Sequence, residues 1–487
     1  MNARIRRSAA TAVLFFGIVG TAVTGQAPCG MNAPDVPISA HDRVYTGDQT
    51  SNTVSVYDPS NNRLLGVLRL GDVTPQNLSP LYRGQLLVHG LGFSFDHKTL
   101  AIVSIGSNSV TFLDTATNAI KHVTYVGRSP HEAFFTPDDS ELWVTIRGED
   151  YVSVIDASTF QEKDRIPVGN GPGMTIFRPD GKYGFVCSSF TPETKVVDVK
   201  THKVVATVAQ GSPFSPNIAA TPDGRQFWLT LKDVGKTQVF RAEPPFDLLA
   251  TLDTGPITNH VNFARNAQGQ FAYITVGGEN NVKVYTTNDA PQWVATIPTG
   301  ELPHGIWASG DGTHLYVALE NGTGMTVINA LTNKVEARIS GGQSSQALVY
   351  VPNAVPTGDG LAHLEPLAAS GLAAHLLLGP PGTAAKEAPT TVTLNNQGLI
   401  DLLQAAVTGL KPKAAYRLAL VRDRDGPYRD LEPLSTFQTN AAGAAIVNTI
   451  GPLRRVVAES PERGDRRYLV IVPATDSDEI KPEQIQY

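Results

Sequence analysis

The chain of 487 residues contains only two cysteines, Cys29 and Cys187. Two thiols cannot form the disulfide framework of a small secreted scaffold, and there is no CxxC pair for a thiolate metal site. No basic run follows residue 7, and the formal net charge is −6. The extended basic face of a nucleic-acid binder is therefore absent, and none is expected as a partner. Beyond the N-terminus no apolar run is long enough to cross a bilayer. A Gly-x-Ser-x-Gly elbow, a His-Glu-x-x-His pair and a phosphate loop are also missing, so no standard hydrolase, zinc-protease or nucleotide motif can be named.

Glycine (44) and proline (34) are plentiful, and the aliphatic residues fall in short runs. That pattern suits many short strands separated by turns. Residues 1–27 read as a signal peptide. Arg4, Arg6 and Arg7 form the positive region, "SAATAVLFFGIVGTAV" the apolar region, and "GQA" the cleavage site. The mature chain is then expected in the periplasm or outside the cell, with no membrane span after cleavage. Cys187 lies in an apolar strand pattern and reads as a small buried hydrophobe.

One fragment recurs along the chain: "HGLGFSFDHK" at 89, "PHEAFFTPDD" at 130, "PGMTIFRPDG" at 172, "SPNIAATPDG" at 215, "HVNFARNAQG" at 260 and "PHGIWASGDG" at 303. Its leading positions are His89, His131, Gly173, Pro216, His260, His304 and Gln346, spaced by 42, 42, 43, 44, 44 and 42 residues. A Pro/Asp/Gly turn follows each copy. Then come an alternating strand ("ELWVTI", "QFWLTL", "FAYITV", "HLYVAL"), a third strand often ending in Asp, a turn, and a last strand. Four short antiparallel strands per period of 40 to 45 describe one blade of a β-propeller. The chain begins mid-unit at "RVYTGD", and the missing first strand appears as "QALVYVP" at 346–352. One blade is therefore predicted to draw on both ends, closing a ring of seven and removing its open edges.

Units such as "YVSVIDASTFQEKDRIPVGNGPGMTIFRPDGKYGFV" resemble the YVTN family of β-propeller repeats, of the YncE-like kind, over about residues 43–352. The resemblance implies the all-β propeller fold and leaves function open. Residues 353–366 read as a linker that a protease should cut. Residues 367–474 read as a small β-sandwich: "VTGLKPKAAYRLALV" resembles the tyrosine corner of fibronectin type III-like domains, with Tyr416 as the tyrosine. "GLIDLLQAAVTGL" within it also fits a helix. Residues 475–487 read as a loose tail.

First strands line a propeller's channel, so the leading positions form a ring on one rim. His89, His131, His260 and His304 are assigned there as equivalent positions, with Gln346 between the pairs and Glu132 adding a carboxylate. The long connection at 71–88 places Tyr82 and Arg83 over the same rim. Imidazoles in this pattern suit three uses: hydrogen bonding to an anion, proton transfer, and holding Cu or Zn. The four histidines are the candidate metal ligands. Two functions follow. One is a binding or scaffold protein that presents the funnel to a small molecule or protein partner. The other is an enzyme of the lactonase, lyase or metal-dependent oxidoreductase type. Histidine also bonds backbone carbonyls between blades, a purely structural use of the same ring.

Overall fold

The computed structural model describes residues 37–70, 86–367 and 373–487, the last apart from 397–399, 427, 429, 459–464 and 476–480. The segment expected to be a signal peptide, Cys29, Tyr82 and Arg83 lie outside the described residues.

Seven four-stranded antiparallel sheets form the propeller. Blade 3 is representative, with strands Pro130–Phe135, Glu141–Ile146, Tyr151–Asp156 and Glu162–Pro167. Burial falls from the axis outwards: the first two strands are buried throughout, whereas Ile166 alone is buried in the fourth. The sequence pattern follows that gradient, from apolar runs at the centre to alternating polar residues at the edge. Asparagines shape the turns. Asn52, Asn62, Asn108, Asn118, Asn280 and Asn333 all take left-handed backbone angles, which Asn tolerates because its side chain bonds locally.

Blade 1 closes the ring as predicted. Arg43–Asp48 pairs with Ser345–Val351, setting Val44 opposite Tyr350 and Thr46 opposite Leu348. Asp48 fastens this blade from inside. Its carboxylate accepts from Ser55 (2.6 Å), Thr46 (2.8 Å), Thr53 (3.0 Å) and, from the other end of the chain, Ser345 (2.8 Å). Burial nevertheless pushes its pKa up to about 6.

The C-terminal region is all-β but differs from the expected sandwich. Eight strands form one sheet whose end strands, Glu432–Gln438 and Ala445–Gly451, curl round into contact, so it is nearly closed. The ambiguous segment is the strand Asp401–Val407. The tyrosine corner is present: Lys411 N donates to Tyr416 Oη at 3.2 Å. The tail is not loose at its end. Gln484–Gln486 is a buried strand between Ala373–Gly379 and Tyr468–Pro473. Ile485 enters a small apolar cluster, and the two glutamine amides donate to Thr408 O and Val457 O.

The connection between the domains is tied to the propeller. Glu365 bridges Val67 on the outer strand of blade 1, Arg43 donates to Asp359 O (2.7 Å), and Asn118 donates to Gly360 O (2.8 Å). The C-terminal sheet then sits on the rim of blades 6, 7 and 1. Ile257 and Leu302 pack with Ala406 and Ala444, Asn321 bonds Thr391 and Thr393, and Asn395 donates to Ser344.

Candidate functional site

The channel residues are placed by a device repeated from blade to blade. In six of the seven blades the residue just before the first strand takes a left-handed angle: Leu87, Ser129, Gly171, Ile257, Leu302 and Ser344. In three blades an asparagine of the preceding blade fixes it, Asn52 Oδ1 accepting from Leu87 N, Asn108 Oδ1 from Ser129 N and Asn280 Oδ1 from Leu302 N. A bulge follows two residues later. It interrupts pairing between Val88 and Leu91, Pro130 and Ala133, Pro172 and Met174, Thr258 and Val261, and Pro303 and Ile306, and at Gln346 in blade 1. Bulges re-aim side chains, and these turn theirs towards the axis.

This register corrects one assignment. His89, His131, His304, Gln346 and Gly173 are equivalent, but the equivalent residue in blade 6 is Asn259. His260 stands one step further along, in the position of Glu132. A threonine staple on the second strand fixes the offset. Thr145 Oγ1 accepts from Glu132 N and donates to Gly173 O, and Thr275 Oγ1 accepts from His260 N and donates to His304 O. Asn259 and Gly269 stand ten positions apart but His304 and Gly312 eight, so the longer turn of blade 6 hides the register and His260 falls one step beyond the equivalent position.

The four imidazoles still meet. Ring centroids are 4.4 Å apart for His89–His131, 6.2 Å for His89–His304 and 4.5 Å for His260–His304. All four rings are buried. His131 Nδ1 lies 2.6 Å from Gly173 O and His304 Nδ1 lies 2.8 Å from Gln346 O. A carbonyl only accepts, so both Nδ1 atoms carry the proton and both Nε2 atoms are lone pairs. His131 Nε2 is 2.8 Å from His89 Nε2, which must then be the donor. His89 Nδ1 and His260 Nε2 are buried without a partner among the described residues. The inter-blade bond and the axial lone pair are thus two uses of one ring. Gln346 contributes its carbonyl to the arc.

Burial, reinforced by nearby cations, keeps the histidines neutral. It lowers His89 and His260 to about 3, and His131 and His304 well below the ordinary imidazole value. The cations are Arg147, which acts on His89 and His131, and Lys232, which acts on His89, His260 and His304. Both are half-buried, and desolvation lowers the pKa of each. Neither forms an ion pair with a described residue. The guanidinium of Arg147 lies against two aromatic rings, 5.8 Å from the centroid of Phe190 and 5.3 Å from that of Phe214.

Arg147, Lys232 and Glu320 were missed in the sequence, although a signal was there. Each immediately follows its blade's second strand, at "ELWVTI-R", "QFWLTL-K" and "HLYVAL-E". These positions form a second ring at the same rim. Glu320 links the two domains: Gln404 Nε2 donates to its Oε1 at 2.7 Å, while its Oε2 lies 3.7 Å from His304 Nε2. The C-terminal sheet therefore reaches the site from blades 6, 7 and 1. On the side of blades 3 and 4, an open cleft lined by Arg128, Arg147, Asn170, Phe190 and Thr191 leads outwards. Further along the channel, Glu132, His260, Trp307 and Asn217 line a cavity of about 20 Å³, enough for a water molecule. Burial raises Glu132 to about 8.

Fold and site together define a seven-bladed β-propeller with a polar, histidine-lined channel mouth partly covered by a second domain. Residues 91–242 match the family described as YNCE-like beta-propeller. No curated protein matches the chain. Among solved structures, it is similar to a functionally unknown protein from Desulfotomaculum acetoxidans (14% identity, 63% of this chain and 98% of that one, TM-score 0.55). It is also similar to the periplasmic gluconolactonase of Pseudomonas aeruginosa (17% identity, 64% and 99%, TM-score 0.51). At these identities the likeness is one of fold.

Proposed function

We propose that this is an exported binding protein whose channel mouth takes a small anionic ligand, a carboxylate or phosphate, entering beside blades 3 and 4. The observation that carries this reading is the pair Arg147 and Lys232, two desolvated cations facing neutral imidazoles with no ion-pair partner among the described residues. Glu320 attracts Lys232 without forming an ion pair, and Arg147 has no carboxylate acting on it; desolvating such incompletely paired cations is unfavourable, and a bound anion relieves that cost. Of the four neutral rings, three have their N–H committed to Gly173 O, Gln346 O and His131 Nε2, so His260 is the one that can offer an N–H to the ligand. The N-terminal charge and apolar pattern support export to the periplasm or beyond. A protein partner at the rim fits the same geometry less well, because a cleft of about 410 Å³ is of small-molecule size.

The enzyme reading draws on Glu132. A carboxyl kept protonated near neutrality beside imidazoles is suited to general-acid work, as in a lactonase or lyase. Calorimetric titration of the chelator-treated full chain with small mono- and dicarboxylates and inorganic phosphate tests the binding reading. At least one should bind, and Arg147→Ala and Lys232→Ala should each weaken it about tenfold, or ~1.4 kcal/mol. Affinity unchanged in both variants would sink it. Lactone hydrolysis lost in Glu132→Gln would favour the enzyme.

A further inference from the structure

The two Nε2 atoms of His89 and His131 face each other at 2.8 Å. Only one proton fits between them, because His131 Nδ1 is committed to Gly173 O. A ring nitrogen fixed by a carbonyl behind it, with its lone pair directed at a second ring, is how metal-binding histidines are oriented. Beside this pair lies Glu132, a buried carboxyl group with no cation partner among the described residues; Leu91 N is its backbone donor. One donor atom from each of His89, His131 and Glu132 lies within 4.8 Å of the others. Gly90 lets the two first strands approach closely: a Cβ there would run into His131 O and come within 2.7 Å of Glu132 Oε2.

We infer that His89, His131 and Glu132 form a binding site for one divalent transition-metal ion, the ion taking the place of the proton between the two Nε2 atoms, which moves to the unpartnered His89 Nδ1, while Glu132 gives up its proton to solvent. Ligands at 2.0–2.1 Å from a tetrahedral ion stand about 3.3 Å apart, so a small opening of the imidazole pair and a small swing of the carboxylate complete the set. Two imidazoles and a carboxylate, with no thiolate, suit Zn²⁺ or Co²⁺. This set is narrower than the four-histidine site expected from the sequence. His304 and His260 pair at the other end of the arc, the His304 ring centroid 6.2 Å from that of His89 and 4.5 Å from that of His260. Three protein ligands leave a coordination position towards the channel mouth. The Glu132 charge offsets the repulsion from nearby Arg147, and an anion at the mouth would do so further.

The test is a titration of the chelator-treated full chain with Zn²⁺ and with Co²⁺, without added anion. Metal binding is thereby scored separately from anion binding. One equivalent should bind, and the Co²⁺ form should show the visible absorption of a low-coordinate site. His131→Ala and Glu132→Gln should each weaken affinity by tenfold or more, while His314→Ala on the opposite rim leaves it unchanged. X-ray absorption of the unmutated Zn²⁺ form should show two imidazoles, which keeps the idea testable if a variant misfolds. Failure to bind either ion at micromolar levels, equal affinity in folded His131→Ala and Glu132→Gln, or a zinc shell without imidazole would each overturn the site.

Discussion

Asp48 shows how a single residue carries the logic of the ring. Its carboxyl ties three strands of blade 1, including the one contributed from the far end of the chain. It is buried, and desolvation outweighs its four hydroxyl donors, so its pKa is raised to about 6. A raised carboxyl favours the native state while protonated. Its contribution is full below the unfolded value near 4 and is lost as pH rises through about 6. The buried histidines act oppositely, losing stability as pH falls below about 6.5. Asp48→Asn should therefore remove a fall in melting temperature between pH 4 and 7 relative to the parent protein, leaving the acid limb in place. Melting curves of both proteins across that range decide it, and parallel pH profiles would rule out this role.

At the scale of the strand, the closing element Ser345–Val351 matters more than its seven residues suggest. All seven are buried, and they pair with Arg43–Asp48 while packing against the first strands of blades 7 and 2. A chain ending at residue 344 loses this strand together with the C-terminal domain. It should show no cooperative propeller transition, because two sheet edges open at once. Replacing Leu348 by Asp within the full chain separates these causes: it buries an unpaired charge and should lower stability by several kcal/mol, roughly 3–5. Scanning calorimetry giving the parent transition in both chains would contradict the closure as the source of cooperativity.

At the scale of the whole molecule, the two domains behave as one body in the structure. The stretch 353–366 reads in sequence as a cleavable linker, but its carbonyls accept from Arg43 and Asn118 and its end bridges blade 1. Polar and apolar contacts join the second domain to blades 6 and 7, and Gln404 reaches Glu320 beside His304. Limited proteolysis should therefore spare 353–366 under native conditions. Rapid release of two folded fragments would show that the contacts are weak in solution.

The sequence by itself determined the architecture. A period of 42 to 44 residues, alternation within each strand and turn residues between them leave little but a propeller, and the split unit at the two ends dictates seven blades. These are local signals, repeated often enough to average out their noise. Much of the candidate site was legible for the same reason, since one position per period maps to one ring. What the sequence could not settle is where register or long-range packing intervenes. His260 looks equivalent to His304, but it stands one step beyond the equivalent position in a blade whose turn is longer than the others. Arg147, Lys232 and Glu320 look like ordinary strand-end charges until seven strand ends are arranged around an axis. The C-terminal sheet lacks a repeat, so its curling into a near-closed form, and its seat on the histidine rim, were decided only by side chains from distant segments finding each other in three dimensions.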